Sequence, residues 1–116
     1  MPAAWLTSER AAVGEPQPAD AGRQAPRRLH ALVRGRVQAV GFRQFVWSRG
    51  ARLGLTGWVR NGDDGRSVEV EAEGPSEALE QLLEILRQGP YGARVDDVQA
   101  SWSDEPRGYT TFEVRF

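Results

Sequence analysis

The sequence predicts an α+β fold: a ferredoxin-like βαββαβ sandwich, with an antiparallel sheet, two helices on one face and a short C-terminal strand. Three observations predict it. Apolar and polar residues alternate in five separate stretches, two further stretches carry an apolar stripe at helical spacing, and glycine or proline stands at most of the boundaries.

Residues 1–26 are rich in Ala, Pro and Gly and sustain neither period, so they read as a flexible N-terminal tail ahead of a domain over 27–116. In Leu29–Gly35 the residues Leu29, Ala31 and Val33 share one face, the pattern of a strand. The segment Gly35–Gly41 has glycine at both ends and reads as a loop. Phe42, Phe45, Val46 and Leu53 fit one face of a helix over Phe42–Leu53, stopped by Gly54. Leu55–Asn61 and Ser67–Glu73 are the next strands, joined by the hairpin signal Asn61-Gly62-Asp63-Asp64-Gly65. Val68, Val70 and Ala72 alternate with Glu69, Glu71 and Glu73, which predicts one buried and one wet face. Pro75 is expected at the first position of a second helix, with Glu77 in its first turn, a stripe of Leu79, Leu82, Leu83 and Leu86, and a stop at Gly89-Pro90. Val95–Asp104 is the fourth strand. After a turn at Glu105–Gly108, the alternation of Thr110, Phe112, Val114 and Phe116 predicts the terminal strand.

Composition narrows the chemistry. There is no cysteine and only one histidine, His30, which excludes thiol chemistry and a His/Cys metal cluster. No run approaches the roughly 18 apolar residues of a membrane span, and the N-terminus has no basic leader with an apolar run. A cytoplasmic location is therefore the default expectation. All 15 basic residues are arginine. Eight of them fall between Arg27 and Asn61, where no acid occurs, whereas Gly62–Phe116 holds five arginines against 13 acids. Either the first half of the domain faces an anion, or the halves interleave and their charges pair.

The loop Gly35–Gly41 joins a strand to a helix whose first turn holds Arg43. Backbone N–H groups at a helix start lack intrahelical partners and carry partial positive charge, which makes an anion site. A cation is electrostatically misplaced there unless an anion lies between. On spacing alone, a glycine-rich turn beside an ordinary surface arginine is the simpler reading, and Asn61 fits a hairpin turn for its backbone alone. The Asn61 carboxamide is also able to donate to an oxyanion and accept from a water. Tryptophans 47, 58 and 102 read as packing residues, and His30 as a bystander. Residues 27–62 offer no Asp, Glu, Cys or Lys, and Ser48 is the one serine, so no general base or nucleophile stands beside the loop. A reaction run there needs a leaving group that departs unprotonated. The carboxylate released from an acyl phosphate qualifies, since carboxyl groups have a pKa of about 4 to 5.

Two segments carry a resemblance. Val33-x-Gly35-x-Val37-Gln38-Ala39-Val40-Gly41-Phe42-Arg43, followed by Gly57-Trp58-Val59-Arg60-Asn61, closely resembles the two signatures of the acylphosphatase family, and the order of elements resembles it over about Arg27–Phe116. The resemblance implies a small, cofactor-free and metal-free hydrolase of the carboxyl-phosphate bond. It implies that Arg43 binds phosphate and Asn61 positions the attacking water. The phosphate would be cradled by Gly35, Arg36, Val37, Gln38, Ala39, Val40, Gly41 and Phe42 together with Arg43. The expected partner is a small-molecule acyl phosphate, with no nucleic acid or membrane, and the chain is expected to be a monomer. The alternative is a non-catalytic anion- or nucleic-acid-binding module on the same fold; against it, 27–116 balances 13 arginines with 13 acids. Two departures carry expectations. The family usually has glycine where this chain has Ala39; a positive φ there would cost alanine about 1 kcal/mol. Many relatives end in Arg-Tyr where this chain has Arg115-Phe116. The family's terminal carboxylate can pair with the catalytic arginine, so Phe116 is expected to orient Arg43.

Overall fold

The computed structural model describes residues 26–116, so the tail expected over 1–26 lies, but for Pro26, outside the described residues. The alternation read in the sequence becomes a five-stranded sheet built from β1 (Arg27–Arg36), β2 (Thr56–Asn61), β3 (Ser67–Gly74), β4 (Arg94–Ser103) and β5 (Phe112–Arg115). Two helices, α1 (Phe42–Arg52) and α2 (Ser76–Gln88), complete the order βαββαβ plus one strand. The spatial order is β4-β1-β3-β2-β5.

The first four strands pair antiparallel, as expected, but β5 runs parallel to β2, so the sheet is mixed. The cause is the path of the chain. β4 is one edge and β5 the other, and the chain reaches the far edge at the end where β2 begins. It therefore enters β5 in the direction of β2. Parallel neighbours need such a long crossover.

The period-2 faces sort as read. Leu29, Ala31 and Val33 of β1, Val59 of β2, and Val68, Val70 and Ala72 of β3 are fully buried against Phe42 and Val46 of α1 and Leu79, Leu82 and Leu86 of α2. Each such large side chain contributes roughly 1.5–3 kcal/mol on burial, so this layer holds the sandwich together. Gly50 lets α1 approach β5: a Cβ at that position would meet the Phe112 ring at 2.6 Å. The Trp47 indole N–H donates to the Phe112 carbonyl at 3.0 Å, fixing the helix from the same side.

Three local expectations are corrected. Pro75 is the N-cap of α2, in extended geometry at φ −62° and ψ 144°, and not its first helical residue. β1 continues to Arg36, because after an irregularity between Arg34 and Gly35 the strand resumes pairing with Val95 and Arg94. The acidic face of β3 is only partly wet: Glu71 and Glu73 are 6% and 4% exposed. The segment that carries the chain from β4 to β5 lies across them. The N–H groups of Arg107, Gly108 and Tyr109 donate to the Glu73 carboxylate, and the Tyr109 hydroxyl donates to Glu71. Burial and the bond to Glu71 raise the Tyr109 hydroxyl above its ordinary pKa, because both penalise a phenolate. A buried carboxylate with several N–H donors is a compensated charge. Here it pins the crossing and thereby the start of β5.

Candidate active site

Since β1, β2 and β5 run in one direction, their C-terminal ends and the start of α1 meet at one end of the sheet. That topology brings together residues far apart in sequence. Val37, Ala39, Gly41, Phe42, Arg43, Gln44, Asn61, Val114 and Phe116 line a concavity of about 140 Å³, room for a small anion. None of the nine is an acid, histidine, lysine or hydroxyl-bearing residue.

The start of α1 explains the electrostatics. Gly41 is its N-cap, at φ 75° in the left-handed region; among the described residues no side chain caps the helix, and no acid lies in its first turn. The first N–H groups of α1 are thus left without capping side chains at a positive helix end beside the concavity. Arg43 is half-buried and, among the described residues, has no carboxylate partner. Other arginines of the first half do pair with acids of the second: Arg27 with Asp104 at 2.7 Å, Arg28 with Glu71 at 3.6 Å, and Arg60 with Glu69 at 2.7 Å. Pairing across strands therefore accounts for part of the asymmetry; Arg34, Arg36, Arg49 and Arg52 also lack a carboxylate partner among the described residues, and of these unpaired arginines Arg43 is the one that lines the concavity.

Arg43 is held by neutral groups. Its Nη1 donates to the Arg115 carbonyl at 3.1 Å, and its guanidinium carbon lies 4.4 Å from the centre of the Phe116 ring. Contact with the last residues is as expected, but through a backbone carbonyl and a ring rather than a carboxylate. A neutral clamp orients the guanidinium without cancelling its charge.

The residues of the predicted cradle divide. Val37, Ala39, Gly41, Phe42 and Arg43 line the concavity, together with Asn61. Gly35 and Arg36 belong to β1, and the Gly35 N–H donates to the Arg66 carbonyl at 3.0 Å. Val40 packs against the core. The Gln38 side chain turns to the β2–β3 hairpin, where Nε2 donates to the carbonyls of Gly62 at 3.0 Å and Ser67 at 2.8 Å. Ala39 has φ 62°, and among the described residues no other non-glycine takes a positive φ. Gln44 and Val114 also line the site without having been singled out in the sequence. Helix position after Arg43 marks Gln44, and the alternation of β5 marks Val114 together with Phe116.

The hairpin carrying Asn61 is held by local hydrogen bonds. The Asp64 carboxylate accepts from the Arg66 N–H at 2.9 Å and the Ser67 hydroxyl at 2.8 Å, and these donors hold it below its usual pKa. Beside the concavity a second, more polar hollow of about 300 Å³ is lined by Arg60, Asn61, Gly62, Asp63, Glu69 and Phe116, so Asn61 and Phe116 are shared walls. Its Glu69 lies between His30 Nε2, at 2.6 Å, and Arg60 Nε, at 2.8 Å. Burial pushes the Glu69 carboxyl up, but those hydrogen bonds and the charge of Arg60 outweigh it and hold the group below its ordinary value.

Comparison with known proteins places the fold and the two motifs in a family. The acylphosphatase family model matches residues 29–114. An acylphosphatase of Salinibacter ruber is 52% identical over 89 residues, covering 77% of this chain and 93% of the relative. One of Thermus thermophilus is 55% identical over 78 residues, covering 67% and 88%. The crystal structure of acylphosphatase from Bacillus subtilis superposes with a TM-score of 0.75 at 39% identity, covering 78% of this chain and 99% of that one. With its motifs at one end of the sheet and the family match running from β1 to β5, the chain belongs to the acylphosphatase family.

Proposed function

We propose that this protein hydrolyses acyl phosphates to a carboxylate and inorganic phosphate, with Arg43 gripping the phosphoryl group and Asn61 positioning the water. Acyl phosphate hydrolysis follows from the family; the residue roles rest on the site. The observation that carries them is a concavity of about 140 Å³ in which a helix start, an arginine and a carboxamide converge; among the described residues the helix has no side-chain cap, the arginine has no acid partner and the lining holds no base or nucleophile. Such a wall favours a small, doubly charged group and supplies no proton acceptor of its own.

In the reaction, the Asn61 carboxamide accepts a hydrogen bond from water and aims its oxygen at phosphorus. The new O–P bond forms as the P–O bond to the acyl group breaks, and its electron pair leaves as the carboxylate. The water proton passes to a phosphoryl oxygen, so no protein base is required. N–H groups of the loop and of the first turn of α1, with the Arg43 guanidinium, stabilise the equatorial oxygens as charge redistributes. The leaving carboxylate is stable unprotonated, which is why an acyl phosphate suits a site without an acid. A small-molecule acyl phosphate is the partner that this site fits.

The direct test is steady-state hydrolysis of benzoyl phosphate by the purified chain in EDTA, with Arg43→Ala as control. Turnover that persists in EDTA and is lost in the variant is the expected result. Turnover retained in Arg43→Ala would remove that residue from the mechanism.

A further inference from the structure

We infer that the Gln38 side chain is a positioning residue that sets the spacing between the anion-binding loop and Asn61. This rests on the reading that the concavity holds the acyl phosphate. Gln38 sits between two residues that line the concavity, Val37 and Ala39, yet its own side chain faces the other way. A primary carboxamide has two N–H donors, and two acceptors receive the Gln38 nitrogen: the Gly62 carbonyl at 3.0 Å and the Ser67 carbonyl at 2.8 Å. These stand on opposite arms of the β2–β3 hairpin, whose base is itself closed by the Gly62 N–H on the Ser67 carbonyl at 2.9 Å. Gly62 directly follows Asn61.

Among the described residues, no other hydrogen bond joins the loop 37–41 to the hairpin 61–67; the nearby bond from Gly35 to Arg66 belongs to β1. The loop cannot depend on its own backbone for this spacing, because Ala39 holds it in a conformation that alanine disfavours. Gln38 thus couples the element that grips phosphate to the element that places the water, without touching either reactant.

The test is a double-mutant cycle on benzoyl phosphate hydrolysis, with inhibition by inorganic phosphate as a separate measure of the loop and Arg43. Gln38→Met keeps the length of the side chain and removes both donors. It is expected to lower kcat by about 10- to 100-fold, the cost of a misplaced reacting group, while inhibition by phosphate stays near the wild-type level. In an Asn61→Ala background the same substitution is expected to cost less than about twofold more, since two residues acting as one unit are not additive. Unchanged kcat in Gln38→Met overturns the proposal, as does an equal loss in both backgrounds, which is what a purely structural role would give. If Gln38→Met does not fold, the cycle is run with Gln38→Glu, whose carboxylate opposes two carbonyls. Its kcat is expected to recover as the pH is lowered and an O–H donor returns; a flat profile beside an unaltered wild-type profile overturns the proposal. A wild-type chain that binds phosphate but hydrolyses no acyl phosphate would overturn the proposed function itself, and the role of Gln38 with it.

Discussion

The guanidinium carbon of Arg43 lies 4.4 Å from the centre of the Phe116 ring, while the ring itself is fully exposed to solvent on its other side. The ring is exposed and Arg43 is only half-buried, so the effect of this pair is orientation more than stability. A cation over an exposed aromatic ring is worth about 0.5–1 kcal/mol. Phe116→Ala is therefore expected to lower kcat/KM by roughly two- to fivefold, the rate equivalent of that energy, with little change in unfolding free energy. Phe116→Tyr, which keeps the ring, should retain full activity. Steady-state kinetics of the two variants, with urea unfolding as control, checks this.

Arg43 and Asn61 reach the same concavity from α1 and from the end of β2. Neither is part of the apolar core, so each should be removable without unfolding the domain. Losing one preorganised group at a charge-developing site costs about 100- to 1000-fold in kcat. Arg43→Ala and Asn61→Ala are each expected to lose activity on that scale while keeping the wild-type circular dichroism spectrum. Arg43→Lys should restore little, because an ammonium lacks the planar fork that grips two phosphoryl oxygens.

How far the site was legible follows from which contacts are local. The glycine-flanked loop, Arg43 one residue into α1 and Asn61 before Gly62 are all short-range patterns, and they were readable as such. The burial of Glu71 and Glu73 was not, because it depends on a crossing segment more than 30 residues away whose path the alternation of β3 does not encode. The same holds for the parallel entry of β5, set by which edge the chain reaches after β4. The partners of the Gln38 amide are not legible either, because a loop position shows no side-chain direction until the hairpin is in place. Its two acceptors lie 24 and 29 residues downstream. The core was the easiest part, since the faces of β1 and β3 repeat every second residue.

Glu69 gives a pH dependence with a definite sign. Its carboxyl is held below its ordinary value of 4.5 by the hydrogen bonds of His30 on β1 and Arg60 on β2, which outweigh burial. A carboxylate whose folded pKa is depressed contributes stability above its unfolded pKa, and that contribution is lost as the pH falls through the folded value. Glu69→Gln is expected to lower stability by about 1 kcal/mol at pH 7, between the worth of an exposed pair and that of a charge-assisted hydrogen bond. The difference from wild type should shrink below pH 4.5 and vanish in more acid solution. Urea unfolding of both proteins at neutral and acid pH measures it; a gap that does not depend on pH would assign the effect to packing.

Ala39 is where the loop carries strain. Its φ of 62° is in the left-handed region, which costs an L-residue with a Cβ roughly 1–2 kcal/mol. Glycine would relieve that strain in the folded chain, but it also raises the entropy of the unfolded chain, by about 0.4–1 kcal/mol. The two terms oppose each other, and the first is larger. Ala39→Gly is therefore expected to stabilise the protein by roughly 0.5–1 kcal/mol, the difference between them, without weakening inhibition by phosphate. Ala39→Val should go the other way and more strongly, since β-branched residues tolerate positive φ least. Because Ala39 lines the concavity beside Gln38, the valine variant should also lose turnover. Unfolding free energies and kcat for the glycine, alanine and valine series decide the matter: a valine variant as stable as wild type would mean that the loop relaxes out of the left-handed conformation at no cost.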